Sequence, residues 1–142
     1  VNPKTIPSAL NVSMAQRLLR KLCEYCKAEK NPSERERKII DATPESIRDK
    51  TYLEGIQTLK IFSAVGCDKC NGTGDKGRIA IVEAILSTKE MEKVIENNSS
   101  EREIKKAAES QNILDMKQDG ILKVLKGISS IDELERVIDL VL

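Results

Sequence analysis

An α+β fold, mainly α, follows from three features of the sequence. Tyr25, Tyr52 and Phe62 are the only aromatic residues in 142, so the core has to be built from Ile, Leu, Val and Ala, which suits helix packing. Most of these apolar residues recur at helical spacing. Two short β-favouring runs flank a cysteine pair and are placed to form the arms of an antiparallel hairpin. The expected order is a small four-cysteine subdomain with a short antiparallel hairpin, then a C-terminal helical bundle.

Taken in order, Asn11–Leu22 reads as a helix, because Met14, Ala15, Leu18, Leu19 and Leu22 share one face at a 3.6-residue period. The charged stretch after Pro32 predicts a short helix, and Pro44 ends it, since the residue before a proline avoids the helical region. Pro44 then starts a second helix over Glu45–Leu53. Thr58–Val65 and Lys76–Leu86 are the two strands, expected to pair with each other. Beyond Ser87 every segment is helical. Thr88–Glu96 gathers Met91, Val94 and Ile95. Ser100 and Glu103 form a capping box, with Ile104, Ala107 and Ala108 inward. Leu114–Lys126 carries Ile121, Leu122 and Leu125 and stops at Gly127. A second capping box at Ser130 and Glu133 opens a last helix with Ile131, Leu134, Val137, Ile138 and Val141 inward. Four short helices on short loops predict a small bundle.

Composition narrows the function. With 24 basic against 23 acidic side chains the net charge is +1, which argues against a nucleic-acid module with its basic excess. No apolar run reaches the roughly 18 residues of a membrane span. Val1–Leu10 has neither the pattern of a signal peptide nor a starting Met, and reads as a cut from a longer protein. The expected compartment is the cytoplasm, where thiols stay reduced.

The chemistry sits in the cysteines. All four fall into two C-x-x-C pairs, Cys23/Cys26 and Cys67/Cys70, and the chain has no histidine. Each pair sets two thiolates on one side of a tight turn, and two such knuckles make the tetrahedron that a structural Zn²⁺ takes. Asn71 and Gly72 let the backbone curl so that amides face the sulfurs. Lys21, Lys27 and Lys69 are placed to offset the charge of −2 that four thiolates leave on a zinc ion. The gap between the pairs exceeds the roughly 15–20 residues of common zinc ribbons. Doubling a loop adds only about 0.6 kcal/mol of closure cost, so the gap implies folded structure inside it.

Other readings compete with this one. Two disulfides need an oxidising compartment. A thioredoxin-type centre needs one pair at a helix N-terminus in a βαβ setting. A zinc that performs chemistry needs an open position, which four thiolates close. Gly72–Arg78 resembles a phosphate loop, but Lys76 is followed by Gly77, Arg78 and a strand rather than by Ser or Thr and a helix. No Ser–His or Cys–His pair can form without histidine, so no catalytic residue is assigned.

Three stretches, AQRLLRKLCEYCK, CDKCNGTGDKGRIAIVEAI and MKQDGILKVLKGISSIDELERVI, resemble in this order the C-terminal end of the bacterial type II secretion and type IV pilus assembly ATPases. The resemblance implies that residues 1–22 end with the last helix of a RecA-like ATPase core. Residues 23–77 would be a tetracysteine zinc subdomain, and residues 78–142 a strand with a helical domain. It implies Cys23, Cys26, Cys67 and Cys70 as zinc ligands, and it places Gln16 and Arg17 in a motif at the edge of the ATPase core. The chain departs from the family at Asp75, where an aromatic is usual. The motifs that would hold ATP and Mg²⁺ are absent from these residues, so the implied role is non-catalytic. Such a fragment would position a homo-hexamer, or its contacts with an inner-membrane platform protein, from the cytoplasmic side without inserting into the membrane. A DnaJ-like zinc knuckle, which Cys67–Gly74 alone resembles, and a zinc-ribbon nucleic-acid binder using Arg17, Arg20 and Lys21 are the alternatives.

Overall fold

The computed structural model describes residues 5, 6, 9–56, 60–97 and 99–140. Its spine is a two-stranded antiparallel ribbon. Strand β1 (Val12–Leu22) pairs along its length with β4 (Asp75–Leu86), from Val12 opposite Leu86 to Arg20 opposite Arg78, with an irregularity before Leu22. The helix expected over Asn11–Leu22 is therefore a strand. Its residues fit a helical period, but a long strand at Lys76–Leu86 needs partners for its backbone N–H and C=O groups, and β1 supplies them. Near its end β1 alternates as a strand does: Leu19 is buried between the exposed Leu18 and Arg20.

The second expected pairing also changes partner. Strand β3 (Ile61–Ser63) pairs with β2 (Ala28–Lys30), not with β4. This short pair follows Cys26 and precedes Cys67, so it leads both knuckles to one place. Residues 57–59 of the chain, which include the start of the expected strand at Thr58, lie outside the described set, as does Val141.

Between β2 and β3 runs helix α1 (Glu34–Ser46), one helix rather than two. Pro44 lies within its last turn; it removes one i→i−4 donor, and the helix ends two residues later at Ser46. Ser33 and Glu36 cap its start reciprocally, a box written in the sequence as S-x-x-E. A 3₁₀ turn, Lys50–Leu53, stands where the second helix was expected.

The C-terminal helices are α2 (Lys89–Glu96), α3 (Glu101–Ala108), α4 (Met116–Leu125) and α5 (Ile131–Val137). The capping box at Ser100 and Glu103 is formed, and an unforeseen one joins Asp115 to Gln118 at the start of α4. Helix α2 packs on α3, whereas α4 lies on β4 and α5 on β1. Gly120 permits the close approach of α4 and α5, because a Cβ there would stand 2.5 Å from Leu134 Cδ1. Gly127 ends the α4 region at φ +66°.

One core joins these parts. It gathers Leu19 and Ile81 from the ribbon, Ile39 and Ile40 from α1, Ile61 from β3, Ile121, Val124 and Leu125 from α4, Ile131 and Leu134 from α5, and Leu140. The ribbon's edges are closed by side chains at several points. Asp119 accepts from the Val82 amide at 2.8 Å, and Gln111 exchanges two hydrogen bonds with Leu86. On the other edge Glu133 accepts from the Arg20 amide at 2.9 Å, and Ser129 donates to the Arg20 carbonyl at 2.7 Å. No described helix is long and apolar enough to cross a membrane.

Candidate metal centre

Cys23 follows the end of β1, and Cys26 closes the turn that leads to β2. Cys67 and Cys70 bracket a 3₁₀ turn, Asp68–Cys70, between β3 and β4. Both long-range pairings thus converge on the four cysteines. The Cys23 amide donates to the Gly74 carbonyl at 2.9 Å, which ties the first knuckle to the loop after the second. That loop depends on left-handed backbone at Asn71 and Gly72 and again at Gly74. At Gly74, φ is +76° and a Cβ would stand 2.6 Å from that of Ala64, so glycine is required there.

All four Sγ atoms lie within 4.8 Å of one another. The contacts Cys23–Cys67, Cys26–Cys70 and Cys67–Cys70 are 3.9, 3.8 and 3.8 Å. A tetrahedral thiolate site with Zn–S bonds of about 2.3 Å has sulfur–sulfur edges of about 3.8 Å. The separations are far beyond the roughly 2.05 Å of a disulfide, and the four cysteines are free thiols. Cys23 and Cys70 are buried; Cys26 and Cys67 are partly exposed.

Backbone amides point at the sulfurs. Gly66 donates to Cys26 Sγ at 3.3 Å, and the amides of Cys67 and Gly74 each donate to Cys70 Sγ at 3.2 Å. These bonds stabilise thiolate charge and orient ligands, as groups around a metal's ligands do. Burial pushes the Cys70 thiol up, but the amides of Cys67 and Gly74 outweigh it and hold the pKa at about 6. At Cys26 burial and the neighbouring sulfurs prevail over the Gly66 amide, and the pKa is pushed up to about 12. Four sulfurs this close do not all ionise unaided. A cation among them would expel the remaining protons, which makes binding pH-dependent. The donor set fits a soft divalent ion held by Cys23, Cys26, Cys67 and Cys70, with no protein position left open for chemistry.

The surroundings differ in part from expectation. Lys27, foreseen as a counter-charge, turns away: its Nζ donates to the Gly127 carbonyl at 3.0 Å, pairs with Glu24, and lies 5.4 Å from the Phe62 ring centre. It fastens the first knuckle to the end of α4. Asp75, where the resemblance implied an aromatic, pairs with Arg20 at 3.2 Å. Gln16 and Arg17 lie on the exposed part of β1, away from the sulfurs, and Arg17 donates to the Val137 carbonyl.

Sequence reasoning missed the role of Glu133. Its side chain is 2% exposed and accepts from the Arg20 amide, from Arg20 Nε and Nη2 at 2.9 and 2.7 Å, and from Arg136 Nε and Nη2 at 2.9 and 2.7 Å. Ser130 still caps the Glu133 amide, but the carboxylate serves the arginines and not a reciprocal cap. The pattern of Arg20 and Arg136 with an acid between them in space has no signature in local sequence.

The sequence has recognisable relatives. Residues 1–136 match the family model described as Type II/IV secretion system protein. The chain is 36% identical over 134 residues to the type IV pilus assembly ATPase PilB of Thermus thermophilus, which covers 94% of this chain and 14% of that protein. It is 36% identical over 132 residues to PilB of Pseudomonas aeruginosa, covering 93% of this chain and 22% of that protein. It is 32% identical over 139 residues to the type II secretion system ATPase E of Vibrio cholerae, covering 96% and 25%. The chain thus spans a quarter or less of the length of these relatives, but nearly all of it is matched, and it belongs to the type II/IV secretion system protein family.

Proposed function

We propose that these residues form a non-catalytic, zinc-clasped part of a type II secretion or type IV pilus assembly ATPase. The observation that carries the reading is the convergence of four sulfurs at 3.8–3.9 Å from two knuckles that are 44 residues apart in sequence. Held by Cys23, Cys26, Cys67 and Cys70, Zn²⁺ would supply no chemistry beyond fixing the ends of β1, β2, β3 and β4 to one point. The chain's own residues do the rest: amides orient the sulfurs, Lys27 ties the first knuckle to α4, and Glu133 ties α5 to β1.

In this reading residues 1–22 continue a RecA-like ATPase core, 23–77 are the metal-clasped subdomain, and 78–142 form the strand with a C-terminal helical bundle. Support for the first part comes from β1 itself. Val12, Met14 and Leu18 stand on one face of the strand at 43%, 62% and 50% exposure, with Leu86 opposite Val12 at 45%. An apolar sheet face of this kind suits burial against further protein. ATP and Mg²⁺ would be held by the portion of the relatives that this chain does not span. The assembled enzyme would be a cytoplasmic homo-hexamer peripheral to the inner membrane. The zinc-clasped subdomain would act as a rigid arm that positions a neighbouring subunit or an inner-membrane platform protein.

The test is made in the full-length protein. Deleting Leu22–Gly77 should leave nucleotide binding intact and abolish pilus or pseudopilus assembly. Assembly that survives the deletion contradicts the positioning role.

A further inference from the structure

We propose that the metal centre is a redox-convertible clasp: peroxide turns it into two disulfides, Cys23–Cys67 and Cys26–Cys70, which hold the two knuckles together after the metal has left. The inference rests on the metal-site reading above and concerns what the same four sulfurs do when oxidised.

Four cysteines can pair in three ways, and the geometry distinguishes them. In the division Cys23–Cys67 with Cys26–Cys70, both pairs make direct sulfur contact, at 3.9 and 3.8 Å. The division within knuckles has one such contact, Cys67–Cys70 at 3.8 Å, and among the described residues no counterpart of hydrogen-bonding geometry at Cys23–Cys26. Among the described residues the third division has no sulfur pair of hydrogen-bonding geometry, although all four sulfurs lie within 4.8 Å of one another. The favoured pairs also divide by access. Each joins one partly exposed cysteine, Cys67 or Cys26, to one buried cysteine, Cys23 or Cys70, as pairing within the knuckles also would, whereas the third division joins the two buried cysteines to each other. A partly exposed cysteine beside a buried one is the arrangement of an attacking thiol and a resolving thiol, in which the accessible sulfur meets the oxidant and the shielded one completes the bond.

Cys67 is the first to react. An open hollow lined by Val65, Gly66, Cys67, Asp68, Asn71 and Gly72 leads to it. Amide hydrogen bonds withdraw charge from Cys26 Sγ and, twice, from Cys70 Sγ, which makes both sulfurs weaker nucleophiles. In the first step the Cys67 thiolate attacks one oxygen of hydrogen peroxide. The O–O bond breaks, hydroxide leaves and takes up a proton as water, and a sulfenic acid remains. The Cys23 thiolate then attacks that sulfur and displaces the hydroxyl, which leaves as water after protonation. Each disulfide thus consumes one peroxide and two protons and yields two waters. Two peroxides oxidise the four thiolates, and Zn²⁺ is released unchanged. Because each bridge crosses from one knuckle to the other, the subdomain exchanges a chelator-sensitive link for a covalent one. Pairing within the knuckles would instead let them separate.

The experiment uses the purified, zinc-loaded wild-type protein, so no variant has to fold. Metal content is measured first; a protein that binds no zinc when loaded overturns the metal reading. Hydrogen peroxide is then added while a chromogenic chelator reports free zinc, thiols are blocked in acid, and disulfides are mapped by mass spectrometry. Limiting peroxide with a sulfenic-acid trap identifies the first sulfur attacked. The account expects one zinc released per chain, the trap on Cys67, the linkages Cys23–Cys67 and Cys26–Cys70, and melting that chelator no longer lowers until reductant is added. Linkages Cys23–Cys26 and Cys67–Cys70, irreversible sulfinic acids in place of disulfides, or zinc retention at several equivalents of peroxide would each overturn it.

Discussion

Replacing Cys70 with serine is expected to lower the melting temperature by roughly 10 °C or more, from a loss of about 4 kcal/mol converted at the 2–4 °C per kcal/mol typical of a chain this size. Cys70 is the cysteine whose sulfur receives two backbone amides. It is buried, it receives the Cys67 and Gly74 amides, and its sulfur meets those of Cys26 and Cys67. Serine leaves three thiolates and a hydroxyl that a soft divalent ion does not favour, and the strand ends at β1, β2, β3 and β4 lose their common anchor. Cys26→Ser should cost less, because Cys26 is partly exposed and takes a single amide. Thermal melts of the two variants, with and without chelator, read the difference: each should be insensitive to chelator, and Cys70→Ser the less stable. A Cys70→Ser protein that melts with the wild type removes the metal from the account of stability.

The second large effect belongs to Glu133. Glu133→Gln should destabilise the fold by about 2–3 kcal/mol at pH 7, a value set below that of a fully buried pair because Arg20 and Arg136 are half exposed. The hydrogen bonds from Arg136 do most to hold the Glu133 carboxyl at a pKa of about 2; burial opposes them and Arg20 adds to them. In an unfolded chain the same group titrates near 4.3. The folded state therefore binds a proton less readily than the unfolded state between these values. Its contribution is complete above about pH 5 and fades as pH falls towards 2. The gap between wild type and Glu133→Gln in denaturant midpoints should be widest at neutral pH and narrow below pH 4. Acid would also expel a metal held by the four cysteines, but equally from both proteins, so the difference between them isolates the carboxylate. A gap that stays constant down to pH 3 contradicts the assignment.

The two sites differ in how far a reader of the sequence could have foreseen them. The cysteine cluster was legible because its chemistry is written in spacing: two C-x-x-C pairs with no spare cysteine and no histidine. Cap residues were legible for the same local reason at Ser100 and Ser130, and the boxes at Ser33 and Asp115 were readable by the same rule. Strand β1 was not. Leu, Gln, Arg and Lys favour helix, and Met14, Leu18 and Leu22 fit its period, so only the demand of β4 for a partner reveals the strand. The pairing of β2 with β3 was hidden because three-residue strands carry almost no pattern. Pro44 marks the end of a helix only approximately: α1 runs two residues past it before stopping at Ser46. The S-x-x-E spacing points to Glu133 as a reciprocal cap, but its carboxylate is an anchor instead, and that role is hidden because Arg20 lies on a strand 113 residues away.

The most direct test of the central claim is the metal content of the reduced, purified chain, measured by native mass spectrometry alongside melting in a strong chelator. One zinc ion per chain, bound only while all four cysteines are present, and a marked fall in melting temperature on chelation are the expected results. A metal-free protein whose melting does not respond to zinc or to chelator would contradict the account.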